Sequence, residues 1–291
     1  MTLIACWIKK HKFSSQLVIA SDSMLSSGER WPCCPKLFRF DRQDCVICFS
    51  GNTAYTYPII LQIHSTINMN EKFQSRALDI HDLSGVIVKL ANSMITQRTD
   101  APSNGFSAPD CAFLFAGYSW KLNCFKAWKI YFNENKKLFK KLEIINDKNK
   151  KLFYFQGDNE KIATIETLKA TKNHKKPLNM IPLSILIKNI NSKKNEDSCI
   201  GGAPQLIIIS KHMNSLPYNI YWPNKKNGKL TFWGRILNED EKNKYLALDP
   251  ETMLIYEYPF LKKSTQLIIT EDNKKNLYIL LIKILKNIAI I

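Results

Sequence analysis

Threonine stands at position 2, directly behind Met1. Its side chain is small enough for methionine excision, so the mature chain can begin with a free Thr2. That one residue would then hold a hydroxyl and a primary amine. An α-amino group has a pKa of roughly 7.7–8, which leaves a useful neutral fraction at pH 7. The amine can take the hydroxyl proton directly or through water, and the oxygen becomes a nucleophile for a carbonyl carbon. A Met-Thr start is common, so the pair selects nothing without its context.

The other chemistry-bearing residues point elsewhere or nowhere. Cys45 and Cys48 form a C-x-x-C, with Cys33 and Cys34 upstream. A zinc site wants four ligands converging from turns. This pair instead falls inside an apolar strand pattern, where positions i and i+3 face opposite sides. No metal is expected, and no cofactor. His11, His64, His81, His174 and His212 show no ligand spacing, and Cys6 reads as a core thiol. The chain has no phosphate-cradling glycine loop, which argues against nucleotide hydrolysis.

The elements that must position Thr2 follow from the hydrophobic period. Residues 2–8 and 16–21 are short β-rich apolar runs on either side of a polar turn, a hairpin pattern that ends at Asp22. After a loop over 23–34, residues 36–40 alternate in period two, and the run 45–50 is closed by Gly51. From Asn52 the period changes. Ile59, Ile60, Ile63 and Ile67 recur at helical spacing, with Asn52 or Thr53 available as a cap. A second helix is expected from about Asp82 to Gln97. Strands resume at 111–118, 124–132, 136–144 and 151–157, then helices at 158–171 and 183–191. Strands at 203–210, 218–222 and 229–235 complete the pattern. Runs of strands separated by paired helices read as an α+β fold, not a parallel doubly wound sheet.

The order of these pieces resembles proteasome β-subunits and the simpler bacterial proteasome-like peptidases. The carrying segments are the Thr2 strand, LVIASDS at 17–23, CCPKLFRF at 33–40, CFSGNTAYTY at 48–57 and EDSCIGGAPQLIII at 196–209. The resemblance covers about Thr2 to Arg235. It implies a four-layer αββα sandwich of the N-terminal-nucleophile (Ntn) hydrolase kind. It also implies roles. Thr2 attacks, and Lys36 keeps the neighbouring amine neutral and lowers the proton affinity of the hydroxyl. Asp22 holds the Lys36 ammonium, the Gly51 N–H faces the developing oxyanion, and Asp197 orients the terminal amine. Gly157, Gly201 and Gly202 match further family glycines. Ile200 and Asp158 stand where the family has serines, and the first turn is longer than usual.

By the same resemblance the substrate is a peptide or a small amide, the chain assembles into a homo-oligomer, and an ATP-driven unfoldase is a conceivable partner. The rival reading is a catalytically inactive proteasome-like scaffold that binds a protein, or an acidic or nucleic-acid partner, through its basic face and C-terminal helix.

Composition sets the outer bounds. The chain has 291 residues and a net charge of +17. That length suits one large domain with an appendage, expected as 1–236 and 237–291. The appendage ends in an amphipathic pattern over 277–291, interrupted by Lys283 and Lys286. No apolar run is long enough to span a membrane. The N-terminal pattern lacks the order of a secretory signal, so a cytoplasmic protein with free thiols is expected. The lysine excess shows little aromatic interleaving and no binding motif, so it reads as Lys/Asn/Ile-rich composition and no nucleic-acid partner is expected.

Overall fold

The computed structural model describes residues 2–10, 14–26, 29–99, 108–149, 151–192, 199–241 and 243–257. The chain divides into two units, Met1–Tyr258 and Pro259–Ile291, and the described residues belong to the first. The amphipathic pattern at 277–291 lies outside them.

Alternating apolar residues build the opening hairpin. Strand β1 (Leu3–Lys10) pairs antiparallel with β2 (Ser15–Ser21), with Cys6 opposite Ile19. The same β1 pairs on its other edge with β8 (Phe153–Gly157), Leu3 opposite Gly157. β2 continues to β9 (Gln205–Ser210), and β9 to β10 (Ser215–Trp222). With β11 (Lys229–Phe232) and β12 (Arg235–Ile236), the sheet order is β12-β11-β10-β9-β2-β1-β8. The second sheet has the order β3-β4-β5-β6-β7. Its strands are β3 (Leu37–Arg39), β4 (Cys45–Gly51), β5 (Cys111–Ser119), β6 (Cys124–Asn133) and β7 (Leu138–Asn146).

Helix α1 (Thr53–Met69) starts where the period changes, and the Asn52 side chain caps it by accepting from the Ala54 N–H at 2.8 Å. A single turn, α2 (Glu71–Gln74), follows. Helix α3 (Ile80–Thr96) begins two residues before the expected Asp82, because Asp79 caps it through the His81 N–H. Helices α4 (Glu160–Ala170) and α5 (Ile181–Ile190) complete the set among the described residues. The result is a mixed α/β fold with large sheets and few helices.

Three apolar clusters hold these elements. One joins Ile47, Phe49, Phe113 and Phe115 of the second sheet to Ile60, Ile63 and Ile87 of α1 and α3. Another joins Leu3, Ala5, Trp7 and Leu206 of the first sheet to Leu183 and Leu186 of α5. In the third, Ile4, Cys6 and Ile19 of the first sheet meet Val46, Cys48 and Leu114 of the second. Alternate residues of β1 thus feed two different clusters, which is the period-two rule at work. Each fully buried Leu, Ile or Phe in them contributes roughly 1.5–3 kcal/mol. Cys45 belongs to the first cluster and Cys48 to the third, so their thiols lie on opposite faces of β4. Among the described residues no cluster of His, Cys, Asp or Glu is suited to a metal. No described helix is long and apolar enough to cross a membrane.

Two details depart from the sequence pattern. The expected strand over 229–235 breaks at Trp233 and Gly234, both with positive φ (52° and 84°), into the hairpin β11–β12. Two consecutive left-handed residues match the right-handed twist of the flanking strands. The first unit also continues past residue 236. Strand β13 (Ala247–Leu248) pairs parallel with β10, and β14 (Ile255–Tyr256) pairs with β13.

Candidate active site

The start of β1, Thr2 and Leu3, is pinned from two sides before any side chain is considered. The Asp22 N–H, just past the end of β2, donates to the Leu3 carbonyl at 3.4 Å. On the other side the Asp158 N–H donates to the Thr2 carbonyl at 2.8 Å. Gly157 makes this second approach feasible. Its φ is +105°, and a Cβ added there would lie 1.8 Å from the Thr2 carbonyl oxygen. Only glycine fits both conditions.

Lys36 arrives from the segment that leads into β3. Its backbone is held by Gln205 at the start of β9. The Gln205 Oε1 accepts from the Lys36 N–H at 2.9 Å and from the Leu37 N–H at 3.3 Å, while its Nε2 donates to the Cys34 carbonyl at 2.6 Å. Thus clamped, the Lys36 Nζ donates to the Thr2 Oγ1 at 2.8 Å. It also donates to both oxygens of Asp22, at 2.9 and 3.0 Å. Thr2, Asp22 and Lys36 are all buried.

A buried carboxylate is costly unless its lone pairs are used. Asp22 uses them fully. Besides Lys36, it accepts from the Leu3 N–H at 3.2 Å, the Met24 N–H at 3.2 Å and the Gly201 N–H at 3.1 Å. Burial lowers the Lys36 pKa, and the charge and hydrogen bonds of Asp22 oppose that fall. The arrangement can keep a cation against the Thr2 oxygen, and a cation there stabilises a developing alkoxide.

Gly51 ends β4 at the wall of the same cleft. Its φ is +105°, and an added Cβ would meet the Asp110 carbonyl oxygen at 2.3 Å. The cleft measures about 600 Å³ and is lined by Thr2, Gly51, Gly157 and Asp158, among others. The structure therefore brings Thr2, Asp22 and Lys36 into contact and sets Gly51 on the same cavity. Asp197 lies outside the described residues.

Of the positions that depart from the family pattern, Ile200 is a core residue, packed in the cluster with Leu206. Asp158 contributes its N–H to Thr2, and burial pushes its carboxyl above the ordinary aspartate range. Gln205 escaped the reading of the sequence, since a single glutamine at a strand start carries no motif. The Gly201 N–H contact to Asp22 was likewise invisible, although the glycine itself was singled out.

The fold is similar to that of proteasome-like Anbu proteins of known structure. Three Anbu structures illustrate the likeness. With the helical assembly of the Anbu complex from Pseudomonas aeruginosa it shares a TM-score of 0.54 at 15% identity, over 83% of this chain and 88% of that one. Anbu (ancestral beta-subunit) from Yersinia bercovieri gives 0.51 at 13% identity, over 75% and 86%. Anbu from Hyphomicrobium sp. strain MC1 gives 0.50 at 14%, over 74% and 84%. No protein-family model matches the chain, and no curated protein matches it in sequence.

Proposed function

We propose that the chain is an N-terminal-threonine hydrolase that cleaves amide bonds, peptide bonds among them, after removal of Met1. The observation that carries this reading is the 2.8 Å hydrogen bond from the buried Lys36 ammonium to the Thr2 hydroxyl oxygen.

The steps follow from the contacts. With Met1 gone, the Thr2 amine takes the proton of its own hydroxyl as Oγ1 attacks the carbonyl carbon. Lys36, held by Asp22, stabilises the oxygen as negative charge develops on it. The carbonyl oxygen becomes an oxyanion, for which the Gly51 N–H is the donor, and one such donor is worth roughly 2.7–4 kcal/mol. Collapse of the tetrahedral adduct breaks the C–N bond, and the amine returns its proton to the leaving nitrogen. The ester left on Thr2 is then hydrolysed by water, which gives the acid and restores the hydroxyl. Asp197 orients the terminal amine in this scheme.

The same reading extends to architecture. The three apolar clusters support a four-layer αββα sandwich, with one cluster between the sheets and one beneath each helical pair. The helical assembly of the Pseudomonas Anbu complex supports a homo-oligomer here.

The test starts with the intact mass of protein purified from its natural host. Loss of Met1 is required, because Thr2 otherwise has an amide in place of an amine. The Met-free protein and a Thr2→Ala variant are then compared on peptide and small-amide libraries. Turnover should fall by roughly 10³-fold or more in the variant. Retention of Met1, or equal turnover by the variant, removes Thr2 from the chemistry; absence of turnover in both proteins leaves the scaffold reading.

A further inference from the structure

The charged residues that line the Thr2 cleft run against the composition of the chain. Lysine and arginine number 42 against 25 aspartate and glutamate, so a random sample of charged residues would be mainly basic. The cleft instead carries Asp110, Glu134, Asp158 and Glu160 against Lys129 alone. Among the described residues, none of these four carboxylates forms an ion pair with a lysine or arginine. They come from separate places in the fold: the approach to β5, the end of β6, the end of β8 and the start of α4.

A second observation also asks for a donor. Gln156, 1% exposed, lines the same cleft. Its Nε2 donates to the Ser50 Oγ at 2.9 Å and to the Ala112 carbonyl at 3.2 Å. A carbonyl accepts only, so it fixes which end of the amide is nitrogen. The Oε1 is left buried with no hydrogen-bond partner. A buried acceptor without a partner is unfavourable until a donor reaches it.

We propose that this cleft selects substrates with a positively charged side chain, lysine- or arginine-like, next to the amide that is cut. The proposal rests on the hydrolase reading above and names its substrate class. A guanidinium or ammonium group offers several N–H donors and a charge. It would meet Gln156 and the four carboxylates together. Burial raises the pKa of the Asp158 carboxyl even against the pull of the amino terminus and Lys36, so its anion is still poorly solvated and gains from a further cation beside it. The overall positive charge would draw acidic peptides to the surface at long range, but salt screens that field within about 8–10 Å. Local carboxylates decide what fits the cleft.

Arginine and citrulline are nearly the same shape and differ in charge, so they isolate the effect. The full chain, freed of Met1, is assayed with acetyl-Arg and acetyl-citrulline coumarin amides. Binding of acetyl-Arg-amide and acetyl-citrulline-amide to the Thr2→Ala variant is measured by calorimetry. Arginine should exceed citrulline by roughly 10-fold or more in both readouts at low salt, and the ratio should shrink as salt screens the charges. A triple variant, Asp110→Asn, Glu134→Gln and Glu160→Gln, should bring the ratio towards one. Equal or better binding of citrulline, no measurable binding of either, or a ratio that survives the triple variant overturns the proposal. Preferential binding of arginine without any hydrolysis leaves the cleft assignment standing and sinks the hydrolase reading instead.

Discussion

Gly157 gives up its side-chain position to the carbonyl oxygen of Thr2, which would lie 1.8 Å from any Cβ placed there. β8 can therefore close on the very start of β1. Gly157→Ala would have to push Thr2 away or give up its φ of +105°. Backbone strain of this kind costs roughly 1–3 kcal/mol. A displacement of about 1 Å at a reacting group can cost about 10²-fold in rate. Both effects should appear, in a denaturation midpoint and in turnover of a small amide. Unchanged values of both would show that Thr2 does not depend on this contact.

Asp22 and Lys36 form a buried pair, so removing one partner strands the other. Asp22→Asn should destabilise the protein by about 3–5 kcal/mol, the usual loss for an orphaned buried charge. Lys36→Met alone should cost a similar amount. The double variant should recover much of the loss, because no charge then remains unpaired. Chemical denaturation of all four proteins completes the cycle. Strict additivity would mean that the two side chains do not sense each other.

Lys36 also predicts a pH dependence. Burial lowers its pKa from the ordinary 10.5, and Asp22 pulls in the other direction. Between the folded value and 10.5 the unfolded chain holds a proton that the folded chain has lost. Stability from this group therefore grows as pH rises through that window and is lost as pH falls through the folded value. Activity has the opposite sign, because the ammonium beside Thr2 disappears with rising pH. The alkaline limb of kcat should fall below pH 10.5. In Asp22→Asn it should move lower still, since the opposing carboxylate is gone. A limb at or above the ordinary lysine value in both proteins would exclude Lys36 as its source.

Several elements could be read from the chain because their signals are local. The alternation in residues 3–8 and 16–21, and the switch to helical spacing after Asn52, each lie within about ten residues. Gly51 and Gly157 stand out in the sequence, but the close backbone approaches that demand glycine there do not. Each is defined by a carbonyl oxygen from a distant segment, at Asp110 or at Thr2. The break at Trp233 was missed because a Trp-Gly pair is no standard hairpin signal. There Gly234 sits against Ser23, and a Cβ on it would lie 2.2 Å from the Ser23 Cβ. The pairing of residues 247–248 with β10 was missed for a similar reason: two residues are too few to show a period.

The sequence alone determined which residues could form strands and helices, and that a small hydroxyl amino acid follows the first methionine. Such preferences come from each residue's own backbone and its near neighbours. Tertiary structure decided that a lysine 34 positions from Thr2 and 14 from Asp22 would touch both. Hydrogen bonds act over about 3 Å. Only the pairing of β1 with β2 and β8, and the grip of Gln205 on the backbone of Lys36, bring the three side chains that close.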